Sequence, residues 1–299
     1  MKKDIVLKDA IKYLKDQDIP DAKISAEYLL SFVLGIDKSE LVKVQEINEK
    51  QQKKYLKLIE KRASRVPLDK LLGFTEFYGL RIPFDKNVLT PRQETELLSE
   101  MVIKDLKKLY KANKYETPLS VLDLCSGSGC LGLSIAMNTN AKVSLSDISK
   151  KAISISKKNC KLNNELKKNE GIPPVNPTFI VSDLFANIPY SYDIIVCNPP
   201  YIQTQELIKL EIEVKDFDPV LALDGGKDGL SFYREIIRSA PKHINSENGV
   251  GKIYFEVGYD QAESVVKMLE KDFEDIEVIK DYSGIDRFVV ARKRENDVK

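Results

Sequence analysis

From Ser120 onward the chain alternates between short apolar runs and amphipathic stretches, and this alternation limits the fold more than any other feature of the sequence. Runs at 120–124, 142–146, 178–182, 192–197, 250–257, 275–280 and 286–292 have the length and β-branched content of strands. Helical spacing of apolar residues fits between them, around 129–138, 149–165, 229–243 and 260–271. Strands separated by helices imply a largely parallel sheet with helices on both faces, because parallel neighbours need a crossover connection. The expected class is α/β. Open sheets of this kind place their ligands just outside the carboxyl ends of the strands.

Residues 1–72 carry a different pattern, that of a helical bundle. Leu7, Ala10, Ile11 and Leu14 are spaced for a first helix. Asp21 is placed to cap a second, with Ile24, Tyr28, Leu29, Phe32 and Val33 as its apolar residues and Gly35 as its stop. A short third helix fits 39–44, and Asn48 with Gln51 reads as a capping box that opens a fourth. That helix puts Tyr55, Leu56, Ile59 and Ala63 on one face. Its other face holds Lys50, Lys53, Lys54, Lys57, Lys61, Arg62 and Arg65 against the single acid Glu60, a solvated face or a docking surface for an anionic partner. Residues 73–90 read as a β-hairpin linker with strands at 76–82 and 86–89 and Gly73 and Gly79 as turn marks. Thr90 is placed to cap the next helix, with Pro91 in its first turn and Gln93 three residues after the cap. Residues 91–299 then make up the α/β domain.

Two motifs carry chemistry. The apolar strand 192–197 runs into Asn198-Pro199-Pro200-Tyr201, where two residues without an N–H stop the ladder. The Asn198 side-chain oxygen and the carbonyls of Asn198, Pro199 and Pro200 form a group of fixed acceptors beside an aromatic ring, suited to a planar group bearing an NH2. Upstream, the strand ending in Asp123 is followed by Cys125-Ser126-Gly127-Ser128-Gly129. Gly127, Gly129 and Gly132 also match the dinucleotide pattern, with Asp147 at the spacing of a ribose-binding acid, so a nicotinamide dehydrogenase competes for this stretch. Against it stand Asp123, which repels a pyrophosphate, the shortage of glycine before Gly127, and a single histidine, His243, in a polar stretch. S-adenosylmethionine, with a sulfonium, an ammonium, a ribose and no phosphate, fits better. Asp123 lies near its methionine end, the glycines allow close backbone approach, Asp147 takes the ribose hydroxyls and Asp183 the adenine amine, with Leu184 and Phe185 flanking the ring.

With these motifs in register, the chain resembles the protein-(glutamine) methyltransferases that modify bacterial peptide chain release factors. The resemblance runs nearly full length. It includes Phe77-Tyr78-Gly79, Leu89-Thr90-Pro91-Arg92-Gln93-Glu94-Thr95-Glu96, Ser182-Asp183-Leu184-Phe185, Asn198 to Ile202, Phe217-Asp218-Pro219, Ala222 to Leu230 and Glu256-Val257-Gly258. Cys125 stands where the family has the first loop glycine, Gln93 replaces a proline, Asp218 a glutamate, and Leu184 an aromatic of some relatives. The resemblance implies a seven-stranded Rossmann-like class I methyltransferase domain with its last strand antiparallel, and a small N-terminal helical domain that engages the release factor. It implies Asn198, Pro199, Pro200 and Tyr201 as the catalytic tetrad, with Asp123, Cys125, Ser126, Gly127, Ser128, Gly129, Asp147, Asp183, Leu184 and Asn198 holding S-adenosyl-L-methionine. The implied acceptor is the glutamine of a Gly-Gly-Gln loop. A sister group modifies a ribosomal protein glutamine, and amine methyltransferases of nucleic acid share the tetrad.

Charge and composition narrow these alternatives. The net charge is +1, so no global field favours nucleic acid or a membrane surface. The segment 202–228 sets Glu206, Glu211, Glu213, Asp216, Asp218 and Asp224 against Lys209 and Lys215, which disfavours a phosphate backbone. At that length it reads as a substrate wall or lid. Four cysteines, Cys125, Cys130, Cys160 and Cys197, lack metal spacing, so no metal site is expected and a reducing cytoplasm fits. No apolar run is long enough to span a bilayer. A cytoplasmic monomer is expected.

Overall fold

The computed structural model describes residues 1–112, 117–247 and 249–295. It divides into two compact units, Met1–Thr75 with Glu211–Phe217, and Glu76–Leu210 with Asp218–Lys299.

The first unit packs α1 (Lys3–Asp16), α2 (Ala22–Leu34), a 3-10 turn (Lys38–Lys43), α3 (Glu49–Ala63) and α4 (Leu68–Leu72) around Val6, Ala10, Leu14, Ala26, Leu29, Leu30, Tyr55 and Ile59. The capping box at α3 is formed in both directions, Gln51 N donating to Asn48 Oδ1 and Asn48 N to Gln51 Oε1, each at 2.9 Å. The expected cap at Asp21 is not. Its carboxylate accepts instead from Ser25 Oγ at 2.6 Å and Arg62 Nη2 at 2.7 Å, a charged partner that outcompetes a backbone N–H. Arg62 thereby leaves the basic face of α3. It is buried, bonded to Asp21 and Ser25, and paired with Glu213 of the inserted segment at 3.0 Å. Of the apolar residues named for α2 only Leu29 is fully buried, together with Ala22, Ala26 and Leu30. Ile24, Tyr28 and Phe32 form an outward stripe one helical turn apart, 51%, 41% and 38% exposed. Leu56, expected on the buried face of α3, is also exposed.

In the linker, β1 (Phe74–Phe77) and β2 (Leu80–Pro83) form a two-stranded hairpin. Its turn is Tyr78-Gly79, at φ 45° and 76°, as a tight hairpin demands. The strand expected at 86–89 is absent. Asn87 folds back on Asp85, donating its backbone and side-chain N–H to one carboxylate oxygen, which breaks the extended run. Gly73 is not a hairpin turn but the left-handed cap of α4. α5 (Gln93–Lys111) starts two residues later than the cap signal at Thr90 suggests, with Arg92 at the cap position. The Thr90 N–H and hydroxyl both donate to Asp218 at 3.1 Å, so that hydroxyl is not available to α5.

The rest of the second unit is the alternating fold: β3 (Ser120–Leu124), α6 (Cys130–Asn138), β4 (Lys142–Asp147), α7 (Lys150–Lys168), β5 (Thr178–Val181), β6 (Ile194–Cys197), the short α8 (Ile212–Lys215, within the segment belonging to the first unit), α9 (Ser231–Ser239), β7 (Lys252–Glu256), α10 (Ala262–Leu269), β8 (Phe273–Lys280) and β9 (Asp286–Lys293). The sheet order is β5-β4-β3-β6-β7-β9-β8, with β9 antiparallel to both neighbours and the pairs from β5 to β7 parallel. Strand alternation sends Val121, Ile194, Val196 and Tyr254 to the layer of α5, α6 and α7. It sends Leu122, Ile195, Cys197, Ile253 and Phe255 to the layer of α9 and α10. The chain runs outward from β3 to β5 and resumes on the other side of β3 with β6, so the order reverses between β3 and β6. A crevice at their carboxyl ends follows from that reversal.

Candidate active site

The crevice is there. Its wall takes Leu124, Cys125 and Gly127 at and just after the end of β3, Ser146, Asp147, Ile148 and Ser149 at and just after the end of β4, Ser182, Asp183 and Leu184 after β5, and Asn198 and Pro200 after β6. Val88, Leu89, Pro219, Leu221 and Ala222 close it from the loops. Four strand ends therefore meet at one cleft.

The loop after β3 turns sharply. Cys125 at φ 63° holds the left-handed conformation that glycine holds without penalty, at a cost of about 1–2 kcal/mol. Gly127, at φ 52°, has nothing within 4 Å of an added Cβ, so the absent side chain leaves open space where a ligand can press against the backbone. Its N–H donates to Asp147 Oδ2 at 2.9 Å, while Ser149 N donates to Asp147 Oδ1 at 2.8 Å. The acid is thus aimed by two amides, each oxygen keeping a lone pair. Burial raises its pKa, and the two N–H bonds pull it back. Ser146 Oγ on the same wall is buried with no hydrogen-bond partner among the described residues, as expected of a site shaped for a polar ligand.

Asp123 does something else. It is 1% exposed, absent from the cleft wall, and accepts from Gly132 N of α6 at 2.8 Å. Burial pushes its pKa up to about 8 against the pull of the Gly132 N–H, and the carboxyl braces the loop from beneath. A Cβ on Gly132 would lie 2.8 Å from that carboxylate and 2.9 Å from Leu145, which explains the third glycine of the pattern. Ser126, Ser128 and Gly129 likewise shape the loop from behind. Asn159 Nδ2 donates to the Ser128 carbonyl at 2.9 Å, and Gly129 packs on Ser156 and Leu145. Leu184, at φ 44°, reaches the cleft. Phe185, expected to flank a base, is buried away from it and stacked on His243 at 4.6 Å between centroids.

The tetrad is clamped from the far side. Tyr201 O accepts from Gln261 Nε2 at 2.9 Å, and Ile202 bridges to Asp224. Gly225 and Gly229 sit so close that an added Cβ would meet the Tyr201 backbone at 2.7 Å and 2.3 Å. Only glycine allows this contact, which is the physical reason for Gly-Gly-x-Asp-Gly-Leu. Pro199 and Tyr201 do not line the cleft, and burial pushes the Tyr201 phenol up to about 12. Of the acids read as repelling phosphate, Glu213 is paired with Arg62, Asp218 with Arg92, and Asp224 accepts from Thr204, so these three serve the fold.

Two residues named so far only within longer motifs are bonded to Asn198 in series. Asn198 Nδ2 donates to Thr95 Oγ1 at 3.2 Å, and Thr95 Oγ1 donates to Glu256 Oε2 at 2.7 Å. Glu256 is 2% exposed at the end of β7. The signal that drew attention to Asp123 and Asp147, an acid closing a strand at one sheet edge, was present at Glu256 too.

Known proteins resemble this chain in sequence and in fold. The PrmC N-terminal domain family matches residues 6–73, and the Methyltransferase small domain family residues 95–214. The release factor glutamine methyltransferase of Thermodesulfovibrio yellowstonii is 37% identical over 277 residues, covering 91% of this chain and 92% of its own. That of Clostridium acetobutylicum is 36% identical, covering 97% of each. The fold is shared with the hMettl16 catalytic domain in complex with an RNA hairpin (TM-score 0.53, 14% identity, 86% of each chain). It is shared also with a methyltransferase from Pyrococcus furiosus (TM-score 0.51, 16% identity, 78% and 98%). A class I methyltransferase sheet, a matching N-terminal family and relatives alike over nearly the whole chain lead to one conclusion: the chain belongs to the release factor glutamine methyltransferases, which are S-adenosyl-L-methionine-dependent enzymes.

Proposed function

We propose that this protein methylates the side-chain amide nitrogen of the glutamine in the Gly-Gly-Gln loop of peptide chain release factors. The observation that carries the reading is the single cleft. Asp147, Asp183, Leu184 and Gly127 share one wall with Asn198 and Pro200, so a donor site and a set of amide acceptors open into the same space. S-adenosyl-L-methionine supplies an electrophilic methyl group when bound. Asp147 holds ribose hydroxyls, Asp183 accepts from the adenine amine, Leu184 covers the ring, and Gly127 lets the backbone approach. Cys125, Ser126, Ser128 and Gly129 set the loop's path, and Asp123 braces it from below.

An amide nitrogen is a weak nucleophile because its lone pair is shared with the carbonyl. The Asn198 side-chain oxygen, on the cleft wall, accepts an amide hydrogen and so orients the nitrogen, while Pro200 beside it confines the amide; Pro199 and Tyr201, off that wall, hold the path of the loop. As positive charge grows on nitrogen its hydrogens become more acidic, and the bond to Asn198 strengthens in the transition state more than in the ground state.

The first unit supplies the remote grip on the release factor. Small glycines beside the target glutamine contribute little binding energy, so a large substrate needs a second surface. The outward stripe Ile24, Tyr28 and Phe32 is suited to that role, with Lys38 over the Tyr28 ring at 4.6 Å and Lys54 over Phe32 at 5.2 Å. The exposed Lys50, Lys53, Lys57 and Lys61 add positive charge for an acidic partner. No described helix is long and apolar enough to cross a membrane. A cytoplasmic monomer acting on free release factor agrees with the reading.

The test is incubation with labelled methyl donor and, separately, intact release factor, a Gly-Gly-Gln peptide, ribosomal protein and nucleic acid, followed by mass mapping. One methyl group on the loop glutamine of the intact factor is expected. Label on a base or a ribosomal protein, with none on the factor, would replace this reading.

A further inference from the structure

Thr95 and Glu256 lie off the cleft wall, yet the bond chain described above runs from Asn198 through Thr95 to Glu256. An asparagine amide is nearly symmetric in shape, and a half-turn of its terminal group exchanges oxygen for nitrogen. At Asn198 that exchange decides function. With Oδ1 toward the cleft the residue accepts a substrate amide hydrogen; with Nδ2 there it offers a donor to a donor.

We propose that Thr95 and Glu256 are positioning residues that fix the polarity of the Asn198 amide, holding Nδ2 inward so that Oδ1 faces the substrate. This rests on the methyltransferase reading above. A carboxylate has no hydrogen to give. The Thr95 hydroxyl must therefore spend its one proton on Glu256, at 2.7 Å. Only its lone pairs remain for Asn198, and only Nδ2, at 3.2 Å, can meet a lone pair. Protonation of Glu256 lifts the constraint. The acid can then donate to Thr95, whose proton becomes free for Oδ1, and the flipped amide fits equally well.

The surroundings of Glu256 tune this. Burial is the largest influence and pushes its pKa up to about 7, while the Thr95 hydroxyl, the Arg287 guanidinium on β9 and the Asn198 side chain lower it and Glu94 on α5 raises it. Tyr201, pushed up to about 12, Tyr233, whose hydroxyl donates to the Glu256 backbone carbonyl, and the Cys130 thiol, pushed up to about 12, are uncharged near neutrality. Among the groups facing it, Glu256 is the one poised to change charge in the neutral range. Turnover should rise with pH as it ionises.

The test uses the full chain with intact release factor, and starts from donor-free protein. In wild type, the Asn198 side-chain NH2 resonance, assigned by its loss in Asn198→Asp, should shift with pH along a midpoint near 7, following the pKa of Glu256. In Thr95→Val it should move and lose protection from exchange. In kinetics, Thr95→Val should lower turnover about tenfold or more with donor affinity by calorimetry held within about twofold, and Thr95→Ser should recover to within about threefold. Glu256→Gln should lose the acid limb of the turnover profile. Turnover of Thr95→Val within about twofold of wild type, equal losses in Thr95→Val and Thr95→Ser, or an acid limb retained in Glu256→Gln would each overturn the positioning role. Wild-type protein that transfers no methyl group to the factor would instead overturn the function on which it rests.

Discussion

Gly229→Ala is the sharpest test of how the tetrad is held. Gly229 sits at φ 73°, where an L side chain costs about 1–2 kcal/mol. Its new methyl would stand 2.3 Å from Tyr201 O and 2.5 Å from Gln261 Nε2, the two ends of the bond that fastens the tetrad to the start of α10. Neither end is a flexible tip with somewhere to go: one is backbone, and Gln261 is itself buried and accepts from Gly258 N at 3.0 Å through its Oε1. Breaking the bond and leaving its groups unpaired adds about 1–3 kcal/mol. The sum is about 2–5 kcal/mol, or roughly 5–15 °C in melting temperature for a unit of this size. Because the displaced backbone belongs to Tyr201, the damage extends to chemistry, where a shift of about 1 Å can cost on the order of a hundredfold in rate. Gly127→Ala is the contrast. Nothing lies within 4 Å of its added methyl, so only backbone strain and an intrusion into the cleft follow, and donor affinity should fall instead. Melting by circular dichroism, turnover on release factor and donor calorimetry separate the two. A Gly229→Ala protein that melts within about 2 °C of wild type and turns over within about threefold would refute the clamp.

Asp147→Ala should weaken S-adenosyl-L-methionine binding by about 1.5–3 kcal/mol for each charged hydrogen bond lost, and wild type should not bind NADH detectably by calorimetry; tight NADH binding would undo the donor site. Arg62→Met leaves Asp21 and Glu213 without their cation, and should destabilise the first unit in urea by up to about 3 kcal/mol, less than for a fully buried pair because both acids keep some solvent. A loss below about half a kilocalorie would mean the pairs are incidental.

Much of the second unit was legible because strand and helix periods differ so plainly. The seven strands and their intervening helices lie where the apolar runs put them, within a few residues at each end. The site's position followed from the topology, since residues after successive parallel strands must converge. What could not be read was direction. Asp123 and Asp147 both close strands, but one turns under α6 and the other into the cleft, and only tertiary packing decides which. Local caps failed wherever a distant charge made a better offer, Arg62 to Asp21 and Asp218 to Thr90. Glu256 carried the strand-closing signal of the other acids, but its link to Asn198 through Thr95 spans sequence separations no local pattern encodes.

The placement of residues 211–217 with the N-terminal helices has a consequence for biosynthesis. Arg62 emerges early, with Asp21 already made, but Glu213 is still untranslated, and residues 76–210 must be made first. At roughly 5–20 residues per second, the helical unit waits on the order of ten to thirty seconds for its last piece. During that interval Arg62 has only part of its neutralising charge. The Arg62–Glu213 pair therefore closes only after translation has passed well into the second unit, and the helices before it hold Arg62 through Asp21 alone until then.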